Sequence, residues 1–280
     1  MERYIGSGWD KSLVTENELK SIDNLLPEEL WHAHLTARSR LIATIRNRQK
    51  NALEAKNAPR YEIERAENIL ENDTLTIGFA RRFASYKRAT LILRDIERFK
   101  KIITNEDYPV QIIFAGKAHP KDNNGKELIQ SIYQLTKDEE LNKRVVFIED
   151  YDMFIAERLV QGVDVWLNTP RRPREASGTS GMKAALNGVI NCSILDGWWD
   201  EAYNGENGWA IGKREAFQDH DYQDNKEAQY LYHLLEDDII PLYYESQRGQ
   251  IPETWLNMMK ESMKTALSYF SSYRMLEEYR

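Results

Sequence analysis

The chain carries one cysteine, Cys192, in 280 residues, which excludes an internal disulfide framework and a cysteine-based metal centre. It has no apolar run of membrane-spanning length, and residues 1–10 lack the basic and apolar regions of a signal peptide. No membrane partner is expected, and the expected compartment is the cytoplasm. The five histidines are scattered, and none sits in the HExxH spacing of a helical zinc site. Positive charge is also short. The 38 Lys and Arg against 45 Asp and Glu leave a net charge of −7, which argues against nucleic-acid binding through an overall field. Gly6-Ser7-Gly8 has no strand before it and no third glycine after it, so it does not read as a nucleotide loop. Repeats and low-complexity tracts are absent as well.

What is present divides near residue 73. Residues 1–73 read as helical. Pro27 followed by Glu28 and Glu29 suits a helix start, and Leu30, Trp31, Leu35, Leu41, Ile42 and Ile45 form a helical stripe. A second helical stretch covers about 60–71. From residue 74 short β-rich runs at 74–80, 109–117, 144–151, 163–169 and 189–196 alternate with helical segments at about 85–103, 123–138, 152–161 and 179–187. Several of the strands are apolar almost throughout, as strands buried on both faces are. The alternation predicts an α/β fold with a doubly wound parallel sheet. A loop rich in Trp, Gly and acids follows at 197–212, then a helix at about 226–246. Pro252 introduces a last helix with Trp255, Met259, Met263, Leu267 and Phe270 on one face. The expected organisation is a helical segment, 1–73, packed on a Rossmann-like domain, 74–280.

In such a sheet, ligands bind beyond the carboxyl ends of the strands. The first strand ends in Ala80-Arg81-Arg82-Phe83-Ala84-Ser85-Tyr86-Lys87-Arg88, four cations in eight residues of an acidic chain. A solvated basic turn accounts for such a cluster seen alone. Its position at the ligand edge favours one or two phosphate sites, with Ser85 as a helix N-cap. The fourth strand leads into Glu175-Ala-Ser-Gly-Thr-Ser-Gly-Met-Lys183, a small-residue loop opening a helix. Loop amides and the helix dipole make an anion site there. Thr179 and Lys183, four apart, share a face. A phosphate at that end with an amine one turn on suits a phosphorylated aldehyde cofactor. A surface lysine, an N-cap threonine and a capping glutamate are the plainer readings of Lys183, Thr179 and Glu175. Trp198, Trp199 and Trp209 suit core packing better than stacking on sugars. Cys192 reads as buried and inert.

At these residues the sequence resembles the α-glucan (glycogen, starch and maltodextrin) phosphorylases. Glu175 to Gly188 matches the family pattern EASGT-x-x-MK-x-x-x-NG throughout, and Phe79 to Arg88 matches F-x-R-R-x-x-x-YKR. Agreement continues through Gly116 to Pro120 (GKAHP), RVVFIEDY and Leu195 to Gly197. The wording is nearest the bacterial and archaeal branch. The resemblance implies the C-terminal half of a two-domain GT-B glycosyltransferase. It implies that Lys183 holds pyridoxal 5′-phosphate, with Thr179, Gly178, Arg81 and Lys87 around the cofactor's phosphate. It places Arg82 and Lys87 on inorganic phosphate, and Glu175, Ser177 and Gly178 on the glucosyl hydroxyls. Lys183, Arg82 and Lys87 would then serve catalysis. The implied reaction is phosphorolysis of α-1,4-glucan to glucose 1-phosphate, with the cofactor's phosphate relaying a proton.

Two departures qualify this. Asp152 follows Tyr151 where the animal-type enzymes carry an arginine, which removes one phosphate contact of that branch. Family members are also much longer, so an N-terminal half is expected as a missing partner, with little activity without it. A homo-oligomer stays open. Two other readings compete: a sugar-nucleotide glycosyltransferase of the glycogen or starch synthase kind, and a non-catalytic domain binding glucan or a partner through the exposed face where the missing half would dock. The helix of Trp255, Met259 and Met263 would contribute to that face. Lys183 discriminates against the synthase, which needs no amine there.

Overall fold

The computed structural model describes residues 14–215, 217–246 and 250–279, so Gly6-Ser7-Gly8 lies outside it. Six parallel strands form one sheet: β1 (Leu75–Ala80), β2 (Val110–Ala115), β3 (Val145–Ile148), β4 (Val165–Asn168), β5 (Ile190–Ile194) and β6 (Gly208–Ile211). Their order across the sheet is β3-β2-β1-β4-β5-β6. The chain therefore winds outward from β1, returns to the centre, and winds out the other way. This is a doubly wound α/β sheet, as the alternation of elements predicts.

The switch in winding direction falls between β1 and β4. There the ladder is short, pairing only Ile77 with Val165 and Gly78 with Trp166, whereas β1 and β2 pair over all six residues. Loops leaving the carboxyl ends of β1 and β4 therefore flank a crevice. β1 and β2 are buried at every position, which explains their apolar runs. Helices cover both faces, with Phe79, Phe114, Leu231 and Trp255 in one core cluster and Leu41, Ile42, Leu159 and Trp166 in the other.

Helix Pro27–Ala55 begins on proline, as expected, and buries Leu41, Ile42 and Ile45. It also buries two polar residues that apolar periodicity cannot reveal, His34 and Arg38, which both bond to Asp164 at the amino edge of the sheet. The next helix, Arg60–Ala66, is shorter than the expected 60–71.

Four local expectations fail. Residues 85–103 are not one helix: Ser85–Lys87 and Leu91–Leu93 are separate 3-10 turns, and Arg88 takes a left-handed φ of 47° that breaks the run. Ser85 caps nothing, and Asp95 caps helix Ile96–Ile103 instead. The stretch 197–212 is not all loop, since it holds helix Trp198–Ala202 and edge strand β6. The helix expected at 226 starts at His220, behind an Asp219 cap.

Candidate functional site

The residues after β1 and β4 meet at the switch crevice. The Glu175 carboxylate accepts from the Arg81 guanidinium and, at 3.0 Å, from the Lys87 ammonium. Both contacts fall on Oε2. Arg81 and Lys87 are buried and Glu175 nearly so, its side chain being 10% exposed. Burial alone would raise the Glu175 pKa; the two cations outweigh it and hold the carboxyl below its ordinary value. One guanidinium nitrogen of Arg81, Nη1, is buried without a hydrogen-bond partner. A buried charged donor left unmet is costly, and a bound anion would satisfy it.

Helix Thr179–Leu186 opens from the same crevice. Its N-cap is Gly178, at φ 87°, so Thr179 is the first helical residue and not the cap. The first amides of a helix have no acceptor on a preceding turn. Thr179 and Lys183 are both exposed, and no carboxylate lies within ion-pair distance of Lys183 among the described residues. Arg82 is likewise exposed and unpaired among them. Glu175 does not cap the helix, because its carboxylate is committed to Arg81 and Lys87. Arg88 leaves the cation cluster altogether. It turns inward to Asp224 at 2.9 Å, to Glu227 at 2.5 Å and to the carbonyls of Thr169 and Pro170.

A brace that sequence reading missed shapes the loop from beneath. Asp196 accepts from the Glu175 amide at 2.8 Å and from the Gly197 amide at 3.0 Å. The Trp198 amide donates to the Ser177 carbonyl at 2.8 Å. Gly197 has φ 56°, and a Cβ there would stand 2.5 Å from the Ser177 carbonyl oxygen. Burial pushes the Asp196 carboxyl up, while the two amides partly offset this. The shared Leu195-Asp196-Gly197 wording was the available signal, but its partner lies 21 residues upstream.

The tryptophans are packing residues. Trp198, Trp199 and Trp209 are all buried, which removes the sugar-stacking alternative. Trp198 meets Phe270 edge-on at 5.2 Å, and the Trp199 indole donates to the Trp209 carbonyl at 3.0 Å. Cys192 is fully buried, which raises its thiol pKa and keeps it unreactive. Trp255, Met259 and Met263 are buried too, so they offer no partner-binding face. Asp152 caps helix Met153–Gly162 through the Ile155 amide at 2.9 Å and pairs with Arg48 at 2.8 Å. Its position thus serves the fold rather than a phosphate.

The site fits a phosphorylated carbonyl cofactor on three counts: an unmet buried guanidinium donor, a glycine-opened helix start, and an unpaired amine one turn inside that helix. Fold and site together define a doubly wound α/β domain with a cation cluster at the carboxyl edge of its sheet. The profile of the carbohydrate phosphorylases matches residues 1–240. The chain is 48% identical over all 280 residues to a maltodextrin phosphorylase of Thermococcus litoralis, of which it covers 32%. It is 46% identical over 99% of its length to a glycogen phosphorylase of Aquifex aeolicus, covering 40% of that protein. It is 41% identical over 98% of its length to a glycogen phosphorylase of Mycobacterium tuberculosis, covering 31%. The chain belongs to the carbohydrate phosphorylase family, and it spans roughly a third of the length of these relatives. Among the described residues no helix is long and apolar enough to cross a membrane.

Proposed function

We propose that the chain is the cofactor-binding part of a pyridoxal 5′-phosphate-dependent α-glucan phosphorylase, which splits α-1,4-glucan with inorganic phosphate to give glucose 1-phosphate. The observation that carries this reading is the meeting of Arg81, Lys87 and Glu175 at the switch crevice, beside the Gly178 helix start that presents Lys183. When bound, the cofactor supplies a phosphate that acts as an acid–base group beside the substrate phosphate.

The chain's own residues divide the remaining work. Lys183 holds the cofactor through its amine. Arg81, Gly178, Thr179 and Lys87 hold its phosphate, with the unmet Arg81 Nη1 as a ready donor. Arg82 and Lys87 hold the substrate phosphate. Bringing two phosphates together is opposed by repulsion, about 4 kcal/mol per pair of unit charges 4 Å apart at an effective dielectric of 20, so clustered cations are required. Glu175, with Ser177 and Gly178, takes the sugar hydroxyls. Before ligand arrives, Glu175 neutralises Arg81 and Lys87. An incoming phosphate takes those cations and frees the carboxylate for the sugar.

The crevice is an open edge. A pocket of about 200 Å³ lies between helix Pro27–Ala55 and edge strand β3, lined by Gln49, Lys56, Tyr133 and Glu149, away from this chemistry. Exclusion of water and a grip on glucan need a second wall, which we assign to sequence carried by the longer relatives. The purified 280 residues should therefore hold the cofactor without turning over glucan. Intact mass after incubation with pyridoxal 5′-phosphate and borohydride should show one adduct, lost in Lys183→Ala, with no glucose 1-phosphate formed from maltodextrin. An unlabelled chain sinks the cofactor assignment, and turnover by the pure chain sinks the need for a second wall.

A further inference from the structure

We propose that Lys117 joins Arg82 at the carboxyl edge in holding the phosphoryl group of inorganic phosphate or of a sugar phosphate. This rests on the reading above, which places Arg82 on phosphate, and adds a residue that the family patterns leave without a role.

The pairing of β1 and β2 runs on past the strands. Ala80 lies beside Ala115, and Phe83 bridges Ala118 in the same register. The Arg81 amide donates to the Ala115 carbonyl at 3.1 Å, and the Phe83 amide to the Lys117 carbonyl at 2.9 Å. Counting along that register sets Arg82 beside Lys117, about 4.8 Å away across the backbone. Arg81 and Phe83 are buried, while Arg82 and Lys117 are both exposed.

Like charges at neighbouring strand positions destabilise a sheet. Carboxylates relieve many such clusters, yet among the described residues neither Arg82 nor Lys117 forms an ion pair. Glu175 is held by Arg81 and Lys87. Asp122, the nearest acid along the chain from Lys117, caps helix Asn123–Leu135 through the Gly125 amide at 2.9 Å. The adjacency is also built into the backbone. Gly116 has φ 146°, and a Cβ there would fall 1.8 Å from the Arg81 carbonyl oxygen, so only glycine lets the two segments run this close. The fold thus keeps two cations together with no counter-ion among the described residues. Arginine offers a planar fork to two oxygens and lysine a point charge, a combination suited to a doubly charged phosphoryl group.

The test is isothermal titration of the whole chain with inorganic phosphate and, separately, with glucose 1-phosphate. Wild type is compared with Lys117→Ala, Lys117→Glu and Lys126→Ala, the last an exposed lysine on the neighbouring helix. Lys117→Ala should weaken binding roughly fivefold, the size of one partly screened charge contact. Lys117→Glu should weaken it further, both effects should shrink as salt is added, and Lys126→Ala should change nothing. Weakening of both ligands assigns the site to the phosphoryl group itself, and weakening of one names its source. Unchanged affinity in both Lys117 variants, or no saturable binding by wild type, overturns the proposal. Borohydride labelling of Lys183 run in parallel separates the two claims. A labelled chain with unaltered phosphate binding removes Lys117 alone, whereas an unlabelled wild type removes the reading beneath it.

Discussion

Asp164, at the amino edge of the sheet, and Glu175, at its carboxyl edge, each meet two basic side chains. Asp164 uses both oxygens. Oδ1 accepts from His34 at 2.6 Å and Arg38 at 2.9 Å, and Oδ2 from Arg38 at 2.9 Å and the Thr76 amide at 2.7 Å. Arg38 also bonds the buried Tyr243 hydroxyl, and Asp164 itself is fully buried. Glu175 places both of its ion contacts on one oxygen, Oε2. One carboxylate is saturated and sealed, joining helix Pro27–Ala55 to β1 and β4. The other is a provisional counter-ion at an open crevice. Similar residue types thus give a scaffold in one place and a site in the other; nearness to solvent and the bonds made to the carboxylate separate the two, since Arg38 Nε and His34 Nδ1 are unmet as well.

The largest expected contrast is in stability. Arg38→Ala strips a buried carboxylate of its main partner and should cost about 3–5 kcal/mol in urea unfolding. Arg81→Ala leaves Glu175 still paired with Lys87 and removes the unmet Arg81 Nη1, so it should cost less, about 1–3 kcal/mol. Equal losses would erase the distinction. Acid offers a second view of the same difference. Burial opposes ionisation of Asp164, but Arg38, His34 and the Thr76 amide hold its folded pKa below the ordinary 3.8. Its contribution is then fully present above pH 3.8 and is lost as the pH falls through the lower folded value. Asp164→Asn should flatten that acid limb of the stability curve; an unchanged slope would show that other carboxylates set it.

A smaller effect is expected at Gly197, beneath the Glu175 loop. Gly197→Ala combines a strained backbone with a clash against Ser177 and should cost about 1–3 kcal/mol, with weakened labelling of Lys183. Gly205→Ala is the matched control. Its φ of 93° is equally unfavourable, but no atom lies within 4 Å, so labelling should survive. Loss of labelling in both variants would mean general destabilisation and not a brace.

The sheet was readable because strands buried on both faces leave continuous apolar runs, as in Leu75–Ala80 and Val110–Ala115. β6 escaped because four residues, Gly208–Ile211, among acids and glycines carry too little pattern. The Glu175–Lys183 loop was legible since its residues are contiguous. Asp164 and Arg38 were not, being 126 residues apart, and neither was the Asp196 brace; local spacing does not encode such pairings. Arg88 shows the converse error. Adjacency to Lys87 suggested a shared role, but one left-handed residue sends its side chain to Asp224 and Glu227 instead.

The central claim is that Glu175 is a replaceable counter-ion, and phosphate-dependent thermal stabilisation tests it most directly. With Glu175→Gln the internal competitor is gone, so added inorganic phosphate should raise the Tm more than in wild type, at lower phosphate concentration. An equal or smaller rise in Glu175→Gln would show that the carboxylate does not hold the place of an anion.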